Sequence, residues 1–368
     1  MITSQLRKWC LAASLGTAFF TSAWAHTVKV ETLTDALSHP WGLAFLPGGD
    51  IVLTERPGNI RLFRHDTGLG APLKNVPAVA AVNQGGMLGI AVDPHFRDNQ
   101  TIYFCYSQPG EDGSTSAVSR ARIQGDRLED VETLFTASPR VDNGFHFGCR
   151  VAFDGNGDLF ITLGERYKLM QEAQNTDNHL GKIVRIRPDG SIPDDNPFVD
   201  GKAPEIYSYG HRNVQGLTIH PETGAVWAME HGPKGGDEVN LIKKGKNYGW
   251  PVITYGIDYS GDIISDKTEM PGMEQPVLYW DPSIAPSGMV FYQGDKFPDW
   301  RGDLLVGSLK FTHLRRIGMN EGKPGQQEVY LQDRKERIRD VVEGPDGYLY
   351  LLTDTPEGKL LKVMPGED

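Results

Sequence analysis

The sequence predicts an all-β fold, a six-bladed β-propeller. Two observations support this prediction: one short β-hairpin signature recurs six times along the chain, and few stretches show a helical period. Each copy contains the end of one strand, a turn rich in Pro, Gly and Asp, and then an apolar strand. The turn residues supply a positive or preset φ, and the apolar strands suit sheets buried between neighbouring blades.

The six copies recur roughly every 45–75 residues, the length of a blade with loops of varied size. They occupy residues 45–54, 92–104, 153–162, 220–227, 297–306 and 344–353. Between them, residues 171–182 are predicted to form a short helix or a loop. We also expect a strand at 28–33 to join the last blade near 360–363, because closing the ring removes two exposed sheet edges.

Residues 1–25 have the pattern of a secretory signal peptide. Arg7 and Lys8 precede a mostly apolar run over 9–20, and a small-x-small cleavage site covers 23–25. The run is too short to span a membrane comfortably, and no other segment is long and apolar enough to do so. We therefore expect a soluble, periplasmic or secreted protein whose propeller domain spans 26–368.

Composition limits the function classes. The formal net charge of −11 disfavours general binding to nucleic acid or to an anionic membrane, both of which need a positive surface. Cys10 lies in the signal segment, which leaves Cys105 and Cys149. Export permits a disulfide, but sequence leaves two possibilities open, a bond or two separate buried thiols.

Polar, glycine-rich segments lie between the hairpin signatures, where the loops of a propeller form a mouth. They are residues 83–89, 146–150, 208–216, 230–251 and a scattered group at 308–310, 337–340 and 354. His146 suits a general base, and Arg212 suits a carboxylate ligand. The carboxylates and carbonyls of the 230–238 loop suit calcium rather than zinc. Taken singly, each segment could also be a plain turn, a structural histidine or surface charge.

Taken together and in this order, the segments resemble the soluble quinoprotein aldose sugar dehydrogenases, relatives of soluble glucose dehydrogenase. The most specific part is Tyr209-Gly-His-Arg-Asn-Val-Gln-Gly216, followed by Glu230-His-Gly-Pro-Lys-Gly-Gly-Asp-Glu-Val-Asn240 and Asn247-Tyr-Gly-Trp-Pro251. The resemblance runs from about His39 to Val363. It implies that pyrroloquinoline quinone (PQQ) and Ca²⁺ bind at the propeller mouth. It also implies oxidation of aldose sugars at C1 to lactones, with the electrons passed to an external acceptor.

The resemblance also implies residue roles. His146 matches the base that takes a proton from the C1 hydroxyl. The positions that match cofactor contacts are Gln84, Arg212, Asn213, Lys310, Arg337 and Arg339. The carbonyls of Gly232 and Pro233 match ligands of the cofactor-bound calcium, and Glu238 with the Tyr248 carbonyl matches a second, structural calcium site. A cationic cluster of this kind suits the three carboxylates of PQQ.

Two departures and two alternatives accompany this interpretation. Residue 145 is Phe where the glucose-oxidising branch has an acidic residue, and the segment 165–178 diverges from that branch, so we expect a permissive aldose site. The alternatives are a calcium-dependent lactonase and a non-enzymatic propeller that binds glycans or proteins. A lactonase has no use for four cationic groups, and a binding module does not need His146 beside a calcium loop and an anion site.

Overall fold

The computed structural model describes residues 27–366 and consists of six four-stranded antiparallel sheets. The first three blades in chain order are β2–β5 (Pro40–Phe45, Ile51–Glu55, Asn59–Arg64, Gly68–Leu69), β6–β9 (Met87–Val92, Thr101–Gly110, Gly113–Gln124, Arg127–Thr136) and β10–β13 (Gly148–Phe153, Leu159–Leu163, Lys182–Ile186, Ile206–Tyr209). The last three are β14–β17 (Val214–Ile219, Val226–Glu230, Asp237–Ile242, Leu278–Trp280), β18–β21 (Pro286–Phe291, Leu304–Ser308, His313–Asn320, Lys323–Tyr330) and β22–β24 with β1 (Ile338–Glu343, Leu349–Thr353, Gly358–Pro365, Val28–Leu37).

The blades close into a ring. The first strand of each blade contacts the first strand of the next, and β22 of the sixth blade contacts β2 of the first. The predicted six-bladed propeller is therefore confirmed. The predicted closure is confirmed as well, because β1 pairs antiparallel with β24 and Val30 lies opposite Val363. The sixth blade thus combines both ends of the described chain, which removes two sheet edges.

Helices are few and short in the part of the chain that the structure describes. They are α1 (Phe96–Asn99) and three 3-10 turns (Met170–Gln174, Pro298–Trp300, Gln332–Arg334). The segment predicted as a short helix or loop therefore contains one 3-10 turn and then a loop that ends at β12. No helix within 27–366 is long and apolar enough to cross a membrane. The predicted signal peptide lies outside the described residues.

The apolar core lies between the blades. In β3, Ile51, Val52 and Leu53 are all fully buried, because both faces of a blade pack on neighbouring sheets. The disulfide Cys105–Cys149 joins β7 of the second blade to β10 of the third, with Cα atoms 5.5 Å apart. The structure therefore resolves the open question about the two cysteines in favour of a bond.

The first strand of each blade is the innermost one, because these six strands contact one another around the propeller axis. The third residue of this strand determines how closely the blades approach the axis. In four blades it is glycine, and a Cβ on Gly89 would lie 2.2 Å from the carbonyl oxygen of Cys149. In the third and sixth blades it is Arg150 and Asp340, whose side chains form an ion pair at 2.8 Å. Arg150 also donates to the carbonyls of Gln215 and Arg339. The axis is therefore crossed by a buried, hydrogen-bonded ion pair rather than left as an open channel.

The topology separates two faces of the ring. In an antiparallel blade, successive connections alternate between the two ends of the strands. The six hairpin signatures connect first and second strands on one face. The loops that enter each blade and the turns between second and third strands lie on the opposite face, the mouth.

Candidate active site

A cavity of about 360 Å³ lies at the mouth, above the Arg150–Asp340 pair. Equivalent positions in several blades line this cavity. They are the residue before the innermost strand and the second residue of that strand, which are two positions apart in the sequence. The examples are His39 and Trp41, Asn213 and Gln215, and Arg337 and Arg339. Residues two apart on a strand share one face. The volume lies within the range of small-molecule and cofactor sites.

Cationic groups concentrate at this cavity. Arg56, Arg337 and Arg339 line it, together with one carboxylate, Asp354. Asp354 Oδ2 accepts from Arg339 at 2.5 Å and from Arg337 at 3.3 Å. Burial raises the pKa of Asp354, but the guanidinium groups of Arg339 and Arg337 lower it by a larger amount. The net pKa therefore lies well below its usual range. Three cations face one anion, so the cavity favours an anionic ligand.

Two buried arginines at the mouth, one lining the cavity and one lining the adjoining hollow, have a donor without a partner among the described residues. Arg339 donates through Nη1 to Gln215 Oε1 at 3.2 Å, yet its buried Nε has no partner among the described residues. Arg212 donates through Nη1 to the Gly232 carbonyl at 2.8 Å, and its Nε also has no partner there. Buried donors without partners cost stability, and a bound anion would satisfy them.

His146 is held by a carboxylate that the sequence analysis did not identify as functional. Its Nδ1 lies 2.6 Å from Glu165 Oε2, and both side chains are buried. An ionised carboxylate only accepts, so the proton of the neutral ring lies on Nδ1 and Nε2 is the basic nitrogen. Burial lowers the pKa of His146; Glu165 raises it, and the charges of Arg212 and Arg166 lower it further. The net shift is downward, so the imidazole is neutral at neutral pH.

The backbone around His146 is strained. His146 has φ 50°, and Arg166 and Tyr167, which follow Glu165, have φ 62° and 64°. Non-glycine residues in this region are uncommon and cluster at functional sites. The His146 N–H donates to Gln84 Oε1 at 2.9 Å, and Asn213 Oδ1 accepts from Gly148 N–H at 3.1 Å. Two of the predicted cofactor-binding residues therefore also fix the histidine loop.

Arg166 is buried and holds the same loop through hydrogen bonds to backbone carbonyls. Its guanidinium donates to the carbonyls of Phe145 at 2.9 Å, Asn143 at 2.6 Å and Ser114 at 2.7 Å. It also lies over the Phe147 ring, with Cζ 4.0 Å from the centroid. Arg166 thus contacts both chain neighbours of His146, and its positive charge adds to the lowering of the pKa of that histidine.

His231 is a second histidine at the cavity, but it is less suited to proton transfer. Its Nε2 lies 2.6 Å from the Pro286 carbonyl, which requires the proton on Nε2. Burial lowers the pKa of His231 to about 3, with the charge of Arg212 as a smaller cause. A base with such a low pKa has a weak affinity for protons.

A small hollow beside the cavity contains the predicted calcium residues. Its lining includes Glu230, Gly232, Glu238 and Tyr248. Burial, with the negative charge of Glu230 as a smaller cause, raises the pKa of Glu238 to about 8. Asn240 donates to both carboxylates, while its buried Oδ1 has no partner among the described residues. Two adjacent carboxylates supply oxygen ligands of the kind that a hard cation prefers.

The predicted residues form two groups, and His146 and Lys310 lie outside both. Gln84, Asn213, Arg337 and Arg339 line the main cavity. The second group surrounds the adjoining hollow and its loop: Arg212, Gly232, Pro233, Glu238 and Tyr248. His146 is buried directly before Phe147, which lines the cavity. Lys310 stands apart, because it is exposed and does not line the cavity; its Nζ lies 5.2 Å from the centroid of the Phe311 ring.

Three residues were missed by sequence reasoning. Glu165 lies 19 positions after His146 and two residues beyond the end of β11, a position that the repeat makes equivalent to that of Glu230 at the end of β15. Trp41 and Arg56 line the cavity at the first blade. The hairpin repeat contained the signal for Trp41, because its position in β2 is that of Arg339 in β22.

A larger cleft of about 960 Å³ lies on the opposite face, between the second and third blades. Its lining contains the turns at 93–95 and 154–158. Its arginines are already paired: Arg120 with Glu132 at 2.8 Å and Arg122 with Asp130 at 2.7 Å. This cleft therefore lacks the unpaired donors of the mouth.

The fold and the site together define a class, a propeller enzyme with a carboxylate-held histidine beside an anion-binding mouth. The model of the family described as glucose/sorbosone dehydrogenase matches residues 37–362, so the chain belongs to this family of oxidoreductases. The resemblance seen in the sequence is thereby confirmed.

Individual relatives agree with this family. The chain is 47% identical to aldose sugar dehydrogenase YliI of Escherichia coli over 364 residues, 97% of this chain and 96% of the relative. The crystal structure of the soluble E. coli aldose sugar dehydrogenase in its apo-form superposes with a TM-score of 0.90, at 46% identity over 92% of this chain and all of that one. The PQQ-bound aldose sugar dehydrogenase of Streptomyces coelicolor gives a TM-score of 0.76, at 29% identity over 92% and 98% of the two chains.

Proposed function

We propose that this protein is a PQQ- and calcium-dependent dehydrogenase that oxidises aldoses at C1 to lactones and passes the electrons to an external acceptor. The observation that supports this most directly is the His146–Glu165 pair beside a cavity rich in arginine. A relative of 29% identity is described as PQQ-bound, which agrees with that cavity.

The residues present fit the cofactor. PQQ carries three carboxylates, and Arg337, Arg339 and Arg212 offer guanidinium groups, two of them with an unused buried Nε. Gln84 and Asn213 would add amide contacts at the rim. Lys310 would bind only if its side chain moves inward from its exposed position. When bound, PQQ supplies the two-electron oxidant that no side chain can provide.

His146 would take the proton of the sugar. The C1 hydroxyl is a weak acid, so loss of hydrogen from C1 needs a base in place as negative charge develops on oxygen. Nε2 is the free lone pair of the neutral ring. Glu165 keeps the ring in this tautomer and stabilises the imidazolium that forms, the role of the carboxylate in catalytic triads.

Calcium would occupy the loop after β15. The carbonyls of Gly232 and Pro233 would hold the ion next to the cofactor, and Glu238 with the Tyr248 carbonyl would hold a second, structural ion. In this structure the Gly232 carbonyl accepts from Arg212, so binding at that carbonyl requires the guanidinium to turn. The turn would free Arg212 for a cofactor carboxylate.

We also propose that the protein works in the periplasm or outside the cell. The signal-like segment at 1–25 supports export. The Cys105–Cys149 bond supports an oxidising compartment, where disulfides persist.

The decisive experiment is reconstitution. Purified protein is titrated with PQQ at fixed calcium, and the quinone absorption spectrum and the reduction of a dye by aldoses are followed. A saturable spectral change and sugar-dependent dye reduction are expected. Hydrolysis of a lactone without any quinone effect would instead identify the lactonase alternative.

Calcium is tested separately. Exhaustive chelation should lower both the melting temperature and the quinone affinity, and added calcium should restore both, because a ligand that binds only the native state stabilises it by about 2.7 kcal/mol at a hundredfold excess over Kd. Glu238→Gln should weaken the calcium dependence, while the exposed control Glu222→Gln should not. Unchanged melting after chelation would contradict the calcium assignment.

A further inference from the structure

One connection of the third blade contacts both the histidine and the fourth blade. It joins β11 to β12, and we call its residues 164–181 the linking loop. At its start, Glu165 holds His146 through the Nδ1 contact of 2.6 Å. Further along, the 3-10 turn Met170–Gln174 reaches residues 246–251, the segment that contains Tyr248 of the hollow. The linking loop therefore joins the two parts of the proposed site.

The contact with the fourth blade is a pair of side-chain amides. Gln174 Nε2 donates to Asn247 Oδ1 at 3.0 Å, and Asn247 Nδ2 donates back to Gln174 Oε1 at 2.7 Å. Gln174 Nε2 also donates to the Trp250 carbonyl at 2.7 Å. Asn247 and Trp250 flank Tyr248 in the sequence, so one amide group holds the segment on both sides of that residue.

The amide pair packs directly on the backbone of Gly210. The Gly210 N–H donates to the Ala173 carbonyl, and the Gly210 carbonyl accepts from the Trp250 N–H, both at 2.9 Å. A Cβ on Gly210 would lie 2.1 Å from Asn247 Oδ1 and 2.9 Å from Gln174 Nε2. Close-packed groups transmit a displacement rather than absorb it. A shift of residues 246–251 therefore displaces the 3-10 turn.

Lys182 keeps the linking loop in one shape. Its side chain is fully buried, and Nζ donates to the carbonyls of Glu172 at 3.0 Å and Ala173 at 3.2 Å, and to that of Leu180. An ammonium group has three donors, and here all three bind carbonyls of the same loop. Burying an ammonium is costly unless its donors are satisfied. The loop therefore closes around this one charge and moves as a unit.

The other end of the linking loop is tied to the base. The Glu165 N–H donates to the Arg212 carbonyl at 2.9 Å, and Glu165 Oε2 accepts from the Tyr167 N–H at 3.2 Å. Glu165 Oε2 also faces Nδ1 of His146, so its position sets the direction of the imidazole ring. Small displacements of a reacting group cost a large part of its rate.

We propose that the linking loop couples residues 246–251 to the catalytic base, with Gln174 and Lys182 as positioning residues. This inference rests on the proposed function, in which the Tyr248 carbonyl is a calcium ligand. Neither Gln174 nor Lys182 lines the cavity or the hollow, so neither is a catalytic residue.

The coupling follows from the contacts in order. A Tyr248 carbonyl that holds an ion restricts the motion of residues 246–251. The Gln174 amide passes this restriction to the 3-10 turn. The carbonyls around Lys182 pass it through the loop toward Glu165, which orients His146. Calcium bound at the structural site thus tightens a base that it does not touch.

Hydrogen exchange measured by mass spectrometry tests the coupling in the full-length protein without PQQ. In the wild type, added calcium should slow exchange roughly tenfold in residues 246–251 and also in residues 165–181. Gln174→Leu should keep the protection of 246–251 and lose most of it in 165–181. The matched control is Gln171→Leu, which changes an exposed residue of the same turn and should behave as the wild type.

Kinetics separate a positioning role from a merely structural one. In protein reconstituted with PQQ and calcium, Gln174→Leu and Lys182→Met should each lower the rate of cofactor reduction roughly 5- to 50-fold. The quinone Kd and the KM for sugar should stay within about twofold, because the binding groups remain in place. If Lys182→Met does not fold, Gln174→Leu carries this test, since Gln174 is only partly buried.

Four results would overturn the proposal. Calcium protection confined to residues 246–251 in the wild type would end the coupling and leave the proposed function intact. Equal protection of 165–181 in Gln174→Leu and the wild type would show a route that bypasses the amide. A raised quinone Kd with an unchanged rate would assign both residues to the shape of the cofactor site. If calcium changes neither exchange nor melting temperature, the calcium dependence in the proposed function fails, and the coupling fails with it.

Discussion

Two histidine–glutamate pairs occupy equivalent places in neighbouring blades. In the third blade, His146 precedes β10 and Glu165 follows β11; in the fourth, His211 precedes β14 and Glu230 ends β15. Both pairs are 19 residues apart in sequence, and their Nδ1–carboxylate distances are 2.6 and 2.8 Å. The propeller repeat therefore built the same buried pair twice.

The second ring nitrogen distinguishes the pairs. His211 Nε2 lies 2.9 Å from Ser208 Oγ, and its ring stacks on Tyr248 at 4.7 Å. His146 Nε2 makes no hydrogen bond within residues 27–366, and its ring meets Tyr167 edge to face. The same pair is thus a structural brace in one blade and an available base in the other. The loop residues around the pair determine which role it has.

The largest expected effect separates the two histidines by rate. His146→Ala should keep quinone and calcium binding but lose roughly 10²–10⁴-fold in the rate of cofactor reduction, the usual contribution of a general base. Stopped-flow absorption with an aldose measures this rate. His211→Ala, assayed with excess calcium, should change it by less than about tenfold. Equal losses in both variants would show that the comparison is wrong.

The next effect concerns quinone affinity and the cationic side chains at the mouth. Arg339→Ala and Arg337→Ala should raise the quinone Kd about tenfold to over a hundredfold, because each loses a charged hydrogen bond of about 1.5–3 kcal/mol. Lys310→Ala is the informative contrast. A large effect in that variant would show that the exposed lysine turns inward on binding, and no effect would remove it from the predicted cofactor contacts. Quinone titration by absorption measures all three.

A smaller effect should appear in stability. His211→Ala leaves Ser208 and Glu230 without their buried partner and should lower the free energy of unfolding by about 1–3 kcal/mol. Denaturant unfolding at saturating calcium measures this change. His146→Ala should cost less, since only one nitrogen of that ring is bonded. The reverse order of stabilities would contradict the brace role of His211.

The smallest expected effect is a shift in pH dependence. His146 must be neutral to accept a proton, so the rate falls as pH drops through its pKa. Burial is the main cause that lowers this pKa, and the charge of Arg166 contributes. Arg166→Met should therefore raise the pKa and move the acid limb of the rate profile to higher pH, while Arg166→Lys retains the charge and the limb. If the acid limb of the rate profile does not move in Arg166→Met, the charge of Arg166 does not affect the pKa of His146, and the role of Arg166 is limited to its hydrogen bonds to the loop.

The disulfide is an example of a contact between blades that the sequence could not predict. The signal-like segment allowed a bond between Cys105 and Cys149, but two cysteines 44 residues apart pair only if adjacent blades bring their strands together. The same applies to Arg150 and Asp340, which are 190 residues apart and meet across the axis. Contacts of this kind depend on the closed ring.

The sequence by itself determined the six blades, the family and most of the residues of the mouth. Strand alternation and turn chemistry are local properties, so they can be read from neighbouring residues. Only the tertiary structure decided that Glu165 holds His146, that Lys310 lies outside the cavity and that the rings of Phe145 and Tyr167 are exposed and in contact beside His146. The physical reason is that these outcomes depend on side-chain direction and on contacts between blades, and a loop residue in a left-handed conformation aims its side chain in a way that no sequence period records.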